Sequence, residues 1–166
     1  MQFQESKMSA ACLEFFPFLN TIEWENHRNK FAAIGSGVLF FGSVWLMIDT
    51  SVAYSPTGHW SNVYFLLTLA GSIAFFMINA VSNHQVTGQA MDEGILGTKG
   101  ARLWMMFAFF LAFSTLVASL WIMFANFVLV EGDIPNWPGL ALFFHSFFIF
   151  ISSLLYKFGR SEEMYG

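Results

Sequence analysis

Four long apolar stretches without Asp, Glu, Lys or Arg, residues 31–48, 63–81, 103–130 and 139–156, alternate with short polar segments that hold all of the chain's acids and strong bases. They are 18, 19, 28 and 18 residues long, and about 20 apolar residues in a helix cross the hydrocarbon of a bilayer. Each run is continuously apolar. A barrel strand would alternate in and out over about ten residues, so the pattern predicts helices. The reading is an all-α integral membrane protein, a four-transmembrane-helix bundle. The third stretch would reach about 42 Å as one helix, so it must tilt, protrude or unwind near Asn126. Pro138 suits the first turn of the fourth helix, where a missing amide hydrogen costs nothing.

The position of charge then orients the bundle. Lys7, Arg28 and Lys30 precede the first stretch, Lys99 and Arg102 separate the second from the third, and Lys157 and Arg160 follow the fourth. The other two connections carry no Lys or Arg. By the positive-inside bias both termini and the middle loop are cytosolic. The organisation expected is a cytosolic N-terminal segment at 1–27, one transmembrane domain at 28–158 and a short cytosolic tail at 159–166. Within the first segment, Phe15, Phe16, Phe18, Ile22 and Trp24 mix with Glu14 and Glu23. That mixture predicts an interfacial amphipathic helix over about 8–24, or a docking segment.

Composition narrows the function classes. Hydrophobic residues make up 56% of the chain and charged residues 11%, against about a quarter charged in soluble domains. The net charge of −4 argues against a nucleic-acid partner, which calls for a basic stripe. Glu5, Lys7 and Glu14 interrupt the N-terminus before any clean apolar core, unlike a cleaved signal peptide. The single Cys12 excludes a disulfide framework. On the cytosolic side it is a candidate for lipidation by palmitate, or an unmodified thiol.

Ionisable and amide groups inside a membrane are costly enough to suggest function. His145 lies within the fourth stretch, Asp49 just past the end of the first, Asn126 near the end of the third and Asn79 near the end of the second. His145 reads either as a pH-sensitive contact or as a ring satisfied by a neighbouring helix's hydroxyl or carbonyl. Asp49 reads as a solvated helix-end carboxylate or as a contact between helices. The four histidines fall in separate segments, which gives no metal-ligand spacing. No nucleophile elbow or phosphate-cradling loop occurs. No catalytic residue, cofactor or metal is expected. Small residues four apart, Ala33 with Gly37, Ala70 with Ala74, Ala108 with Ala112, Ser114 with Ala118 and Thr115 with Ser119, favour internal helix packing over a homodimer face. The many Phe residues, Phe40, Phe41, Phe75 and Phe76 among them, are expected towards lipid.

The most polar local chemistry is INAVSNHQVTGQAMDEGILGTKGARLW, residues 78–104. Asn79, Asn83, Glu93, Gly94, Gly97, Gly100 and Arg102 are its candidate structural and partner-binding residues. A glycine-rich loop that caps the bundle and one that receives a cytosolic partner both fit.

With RNKFAAIGSGVLFF, WLMID, MINAVSNHQV, EGILG, GARLW, AFSTLVASLWIMF and KFGRSEE in this order, the chain resembles the transmembrane protein 50 family. These are small four-span proteins whose fungal relative acts in vacuolar protein sorting. The resemblance implies residence in endoplasmic reticulum, Golgi or late endosome, a role in endosome-to-vacuole or lysosome transport, and a second small four-span partner of the leptin-receptor-overlapping-transcript type. It carries over no catalytic residue or cofactor. The leading expectation is therefore a non-enzymatic membrane subunit of a trafficking complex. A lipid-handling subunit, scrambling lipids or passing them to a larger lipid-transfer assembly, is the alternative. A channel or transporter lined by Asn79, Asn126 and His145 is the third reading, weakened by their different depths.

The orientation makes a direct prediction. In a Cys12→Ser background, a Thr57→Cys chain reacts with a membrane-impermeant maleimide only from the lumenal side, and a Thr98→Cys chain only from the cytosolic side. The reverse pattern in sealed microsomes would invert the topology.

Overall fold

The computed structural model describes residues 24–88, 97–132 and 134–159, with side chains from residue 28 onward. The proposed surface helix at 8–24 therefore lies largely outside the described residues, as do Cys12, Glu93, Gly94 and the tail beyond Gly159. The described chain is all-α: α1 (Trp24–Tyr54), a 3-10 turn (Asn62–Tyr64), α2 (Phe65–Ala80), the short α3 (Asn83–Thr87), α4 (Gly97–Met123) continuing as a π turn (Phe124–Val128), and α5 (Trp137–Gly159). With the 3-10 turn counted into α2 and the π turn into α4, four helices are long and apolar enough to cross a membrane.

Helix ends follow local chemistry rather than the edges of the apolar runs. Inside a bilayer every peptide group must find an internal partner, which favours helical continuation until something stops it. For α1 the stop is Pro56, which disfavours the helical region at the preceding residue. The helix ends at Tyr54, six residues past the apolar run, and Thr57 Oγ1 donates to the freed Tyr54 carbonyl at 2.8 Å. The carboxylate of Asp49 thus projects from the side of a helix, not from its end. α2 ends where Val81 turns extended (φ −105°, ψ 134°). Ser82 then opens α3 with a reciprocal capping box to Gln85. Gly88, at φ +82°, closes α3 with its N–H on the His84 carbonyl.

Two sequence expectations change here. Gly97 and Gly100 lie in the first turn of α4, not in a loop. Gly97 sits at φ +58°, a backbone state that glycine enters without the Cβ penalty, so the chain turns directly into the helix there. The overlong third stretch does loosen around Asn126, by widening into the π turn without uncoiling. Leu129 N–H accordingly reaches back to the Phe124 carbonyl at 3.0 Å.

α5 is the hub, contacting α1, α2 and α4, and α2 also packs on α4. Its buried positions include Gly139, Ala141, His145, Ser146, Ser152 and Ser153, mostly small or polar. The partner helices match this: Ala74 and Ile78 of α2 meet Ala108 and Ala112 of α4. At the other end Trp60 folds back onto Met47 and Leu142. Small side chains let backbones approach, which matters where lipid supplies no hydrophobic drive between helices. Of the small pairs, Ala108 with Ala112 and Thr115 with Ser119 point inward, whereas Ser114 and Ala33 are exposed. The polarity is inverted relative to a soluble protein. Ser36, Ser43 and Thr50 of α1 are buried, while Phe41, Trp45 and Val52 are 70–72% exposed. Phe76 and Phe110 also face outward, but Phe40 packs on Phe75 between α1 and α2, with ring centroids 4.8 Å apart and the rings tilted by 38°.

Gly139 and Gly159 make the two tightest apolar approaches. A Cβ at Gly139 would lie 2.7 Å from Phe127 Cδ2 and 2.9 Å from Cγ, and the π turn is what buries Phe127. Gly139→Ala is expected to cost about 1–3 kcal/mol through overpacking. Gly37→Ala, whose added methyl meets nothing within 4 Å, should leave the melting temperature of the detergent-solubilised protein unchanged. Equal melting temperatures for the two variants would refute the packing.

Candidate functional site

A polar seam runs along α5 from His145 to Lys157, built from side chains that donate to backbone carbonyls of other elements. At its start His145 is fully buried. Its Nδ1 lies 2.8 Å from the Ser43 carbonyl oxygen. A carbonyl only accepts, so Nδ1 carries the proton and Nε2 is left to accept from Thr68 Oγ1 at 2.9 Å. One ring thereby ties α5 to α1 and α2. Seven residues further, Ser152 Oγ donates to the Ser36 carbonyl at 2.7 Å. The seven-residue step from His145 to Ser152 is matched by the step from Ser43 back to Ser36. This is what two antiparallel helices in fixed register produce when two turns separate equivalent contacts.

The seam ends on Lys157, only 5% exposed, whose Nζ donates to the Val81 carbonyl. That carbonyl belongs to the break between α2 and α3. Trp104 Nε1 of α4 donates to the Met77 carbonyl at 3.0 Å, and Arg102 Nε to the Val86 carbonyl at 2.8 Å. A helix leaves its last four carbonyls without intrahelical donors. Here three side chains from α4 and α5 fasten the backbone around the α2 and α3 termini. All five described Lys and Arg side chains, Arg28, Lys30, Lys99, Arg102 and Lys157, lie towards this basic end, because α1 and α4 start there and α5 finishes there.

The sequence candidates separate into groups. Asn79, Asn83, Gly97, Gly100 and Arg102 all come to the basic end, beside the α2–α3 break. Asn79 Nδ2 donates to the Phe75 carbonyl at 2.8 Å, while its Oδ1 is buried without a hydrogen-bond partner. Asn83 opens α3, and its carbonyl accepts from Thr87 Oγ1 at 3.1 Å. Asn126, exposed on the π turn, donates through Nδ2 to Tyr64 Oη at 3.3 Å. It shares the far end of the molecule with Asp49, which is exposed on α1. Asn79, Asn126 and His145 are not brought together. Among the described residues no three His, Cys, Asp or Glu side chains gather as metal ligands would.

Sequence reading missed Lys157, Trp104 and the serines of the seam. Lys157 registered there only as a topology charge. The available signal was the spacing Ser36, Ser43, Thr50 in one apolar helix and His145, Ser152 in another, two polar tracks with the same two-turn step.

The comparisons extend over nearly the whole of this architecture. A family model described as "Uncharacterised protein family (UPF0220)" matches residues 13–165. The chain belongs to the UPF0220 family. The matched region starts at residue 13, inside the N-terminal segment, which the recognisable motifs leave aside. Among curated proteins, the "Transmembrane protein 50 homolog" of Dictyostelium discoideum is 28% identical over 146 residues, covering 81% of this chain and 92% of its own length. No solved structure matches significantly. The UPF0220 chain is thus a small multi-pass membrane protein, with four span-length apolar helices packed in one bundle among the described residues.

The seam can be tested residue by residue. Thr68→Val removes one bond and is expected to cost about 0.6 kcal/mol, the average for side-chain bonds between membrane helices. His145→Ala removes two and leaves a void, for about 2–4 kcal/mol. Unfolding titrations in mixed micelles measure both, and a His145→Ala loss no larger than that of Thr68→Val would show that the ring does not tie the helices.

Proposed function

We propose that this UPF0220 protein is a non-enzymatic membrane subunit of a complex in endosomal protein trafficking, acting between late endosome and lysosome or vacuole. The observation that carries the reading is the use of the bundle's polar side chains. His145, Ser152, Lys157, Arg102 and Trp104 each satisfy a carbonyl of a neighbouring element. Such groups hold helices in place and leave an apolar outer surface for lateral contacts in the bilayer. A catalytic or conducting site calls for polar groups converging on an open space, whereas these five converge on the bundle's own backbone. The resemblance to the transmembrane protein 50 family supplies the process, residence in endoplasmic reticulum, Golgi or late endosome, and a second small four-span protein as partner. In the proposed topology the basic end is cytosolic.

The lipid-handling alternative calls for a polar groove open to the bilayer. The groove on α4, lined by Phe110, Phe113, Ser114, Val117, Trp121 and neighbouring residues, has one hydroxyl, and Ser114 Oγ already donates to the Phe110 carbonyl at 2.8 Å. That lining suits acyl chains and offers nothing to a headgroup.

Cells lacking the protein are expected to retain a soluble hydrolase in late endosomes and deliver it late to the lysosome or vacuole, with recovery on re-expression of the full chain. Delivery at the normal rate in the deletion would refute the trafficking role. Purified protein in liposomes should move labelled phospholipid no faster than protein-free vesicles, and faster movement would favour the lipid-handling role instead.

A further inference from the structure

One unused feature is the outward face of α1. This helix packs chiefly on α5, and its opposite side, including Val38, Phe41 and Trp45, is exposed. Two positions distinguish this face from an ordinary lipid-facing surface. Gly42 lies on the same stripe as Val38 and Trp45, is exposed, and a Cβ added to it would meet no atom within 4 Å. It leaves a notch where another helix's backbone can come close. Two turns further, at i+4 from Trp45 and i−3 from Val52, stands the exposed carboxylate of Asp49.

Depth decides what Asp49 can meet. Ser43, His145 and Thr68 share one level through their hydrogen bonds. Asp49 lies six residues, about 9 Å, beyond Ser43, and Asn62 is equally far from Thr68. The carboxylate therefore sits at the rim where α2 enters the bundle, opposite the basic end, while α1 runs on to Tyr54. At such a rim a facing cation attracts it more strongly than in bulk water.

We propose that this face, with Gly42 as the notch and Asp49 as the charge, seats a transmembrane helix of a different protein that carries a Lys or Arg at the same rim. A second copy of this chain does not fit. All seven Lys and Arg residues lie on the basic side of the spans, so a copy inserted in the same orientation sets Asp49 against Asp49, which is repulsive. The inference rests on the reading of the chain as a complex subunit and names the face and chemistry of that contact.

The test places a photoreactive residue at Trp45, or at Phe110 on α4 as a control, in the full chain expressed in its own membranes. Crosslinking from position 45, and not from 110, to one other membrane protein with a Lys or Arg at that rim is expected. Asp49→Lys and Gly42→Leu should each lower the recovered complex about tenfold, with the melting temperature of the isolated chain unchanged. Replacing the partner's cation by Asp should restore recovery with Asp49→Lys. Crosslinks to a second copy, crosslinks only to lipid, or full recovery of a complex with both variants would overturn the proposal and leave the subunit reading standing. A wild-type chain that crosslinks to no protein from any outward face would overturn both.

Discussion

A carbonyl freed inside a bilayer has no water to turn to, and the arrangement of this bundle follows from that constraint. The chain breaks its helical ladder at the extended Val81 between α2 and α3. The break falls at the basic end of the second span, and protein side chains supply donors there. Lys157 supplies one from α5, and Trp104 and Arg102 supply others from α4. The need to reach those carbonyls fixes where the ends of α4 and α5 must sit. The short α3 is then a consequence of the break, capped by Ser82 at one end and Gly88 at the other.

The same economy shapes the interior. In water the drive to bury apolar area would place Phe and Leu inside and Ser outside. In lipid that drive is absent between helices, so close backbone approach and interhelical hydrogen bonds decide the packing. α5 shows the outcome: buried Gly, Ala, Ser and His on the sides that meet its neighbours, with Phe144 and Phe158 turned outward. The Gly71 approach to Ile149 and the Gly159 approach to Ala32 show how little space separates these helices. Larger residues at those positions would push the seam's donors out of range of their carbonyls.

The spans were legible in the sequence because four continuous apolar runs leave no other economical reading, and the clustering of Lys and Arg on one side survives as the basic end. Helix limits were less legible, since a helix in lipid continues past its apolar core until a residue such as Pro56 forbids it. The middle segment read as a glycine-rich loop because glycine usually breaks helices. Gly97 and Gly100 instead start one, with Gly97 at φ +58° turning the chain into the helix. Crowding around Asn126 was foreseeable from length alone, but a π turn and full unwinding relieve the same excess, and the approach of Phe127 to Gly139 selects the former. His145 stood out as an isolated imidazole. Its partners Ser43 and Thr68 did not, because which helices adjoin is a property of the assembled bundle.

The pairing of α1 with α5 has a consequence for biogenesis. α1 leaves the ribosome well before α5, its main partner, so it must wait in the membrane with Ser36, Ser43 and Thr50 facing lipid while the middle of the chain is made. α2 and α4, close in sequence, can form their hairpin early, since short loop closures cost little entropy. The bundle closes only when α5 arrives and threads its donors between both groups. A chain cut short before residue 137 would keep those hydroxyls exposed on α1, a feature by which membrane quality control can tell an unfinished molecule from a finished one.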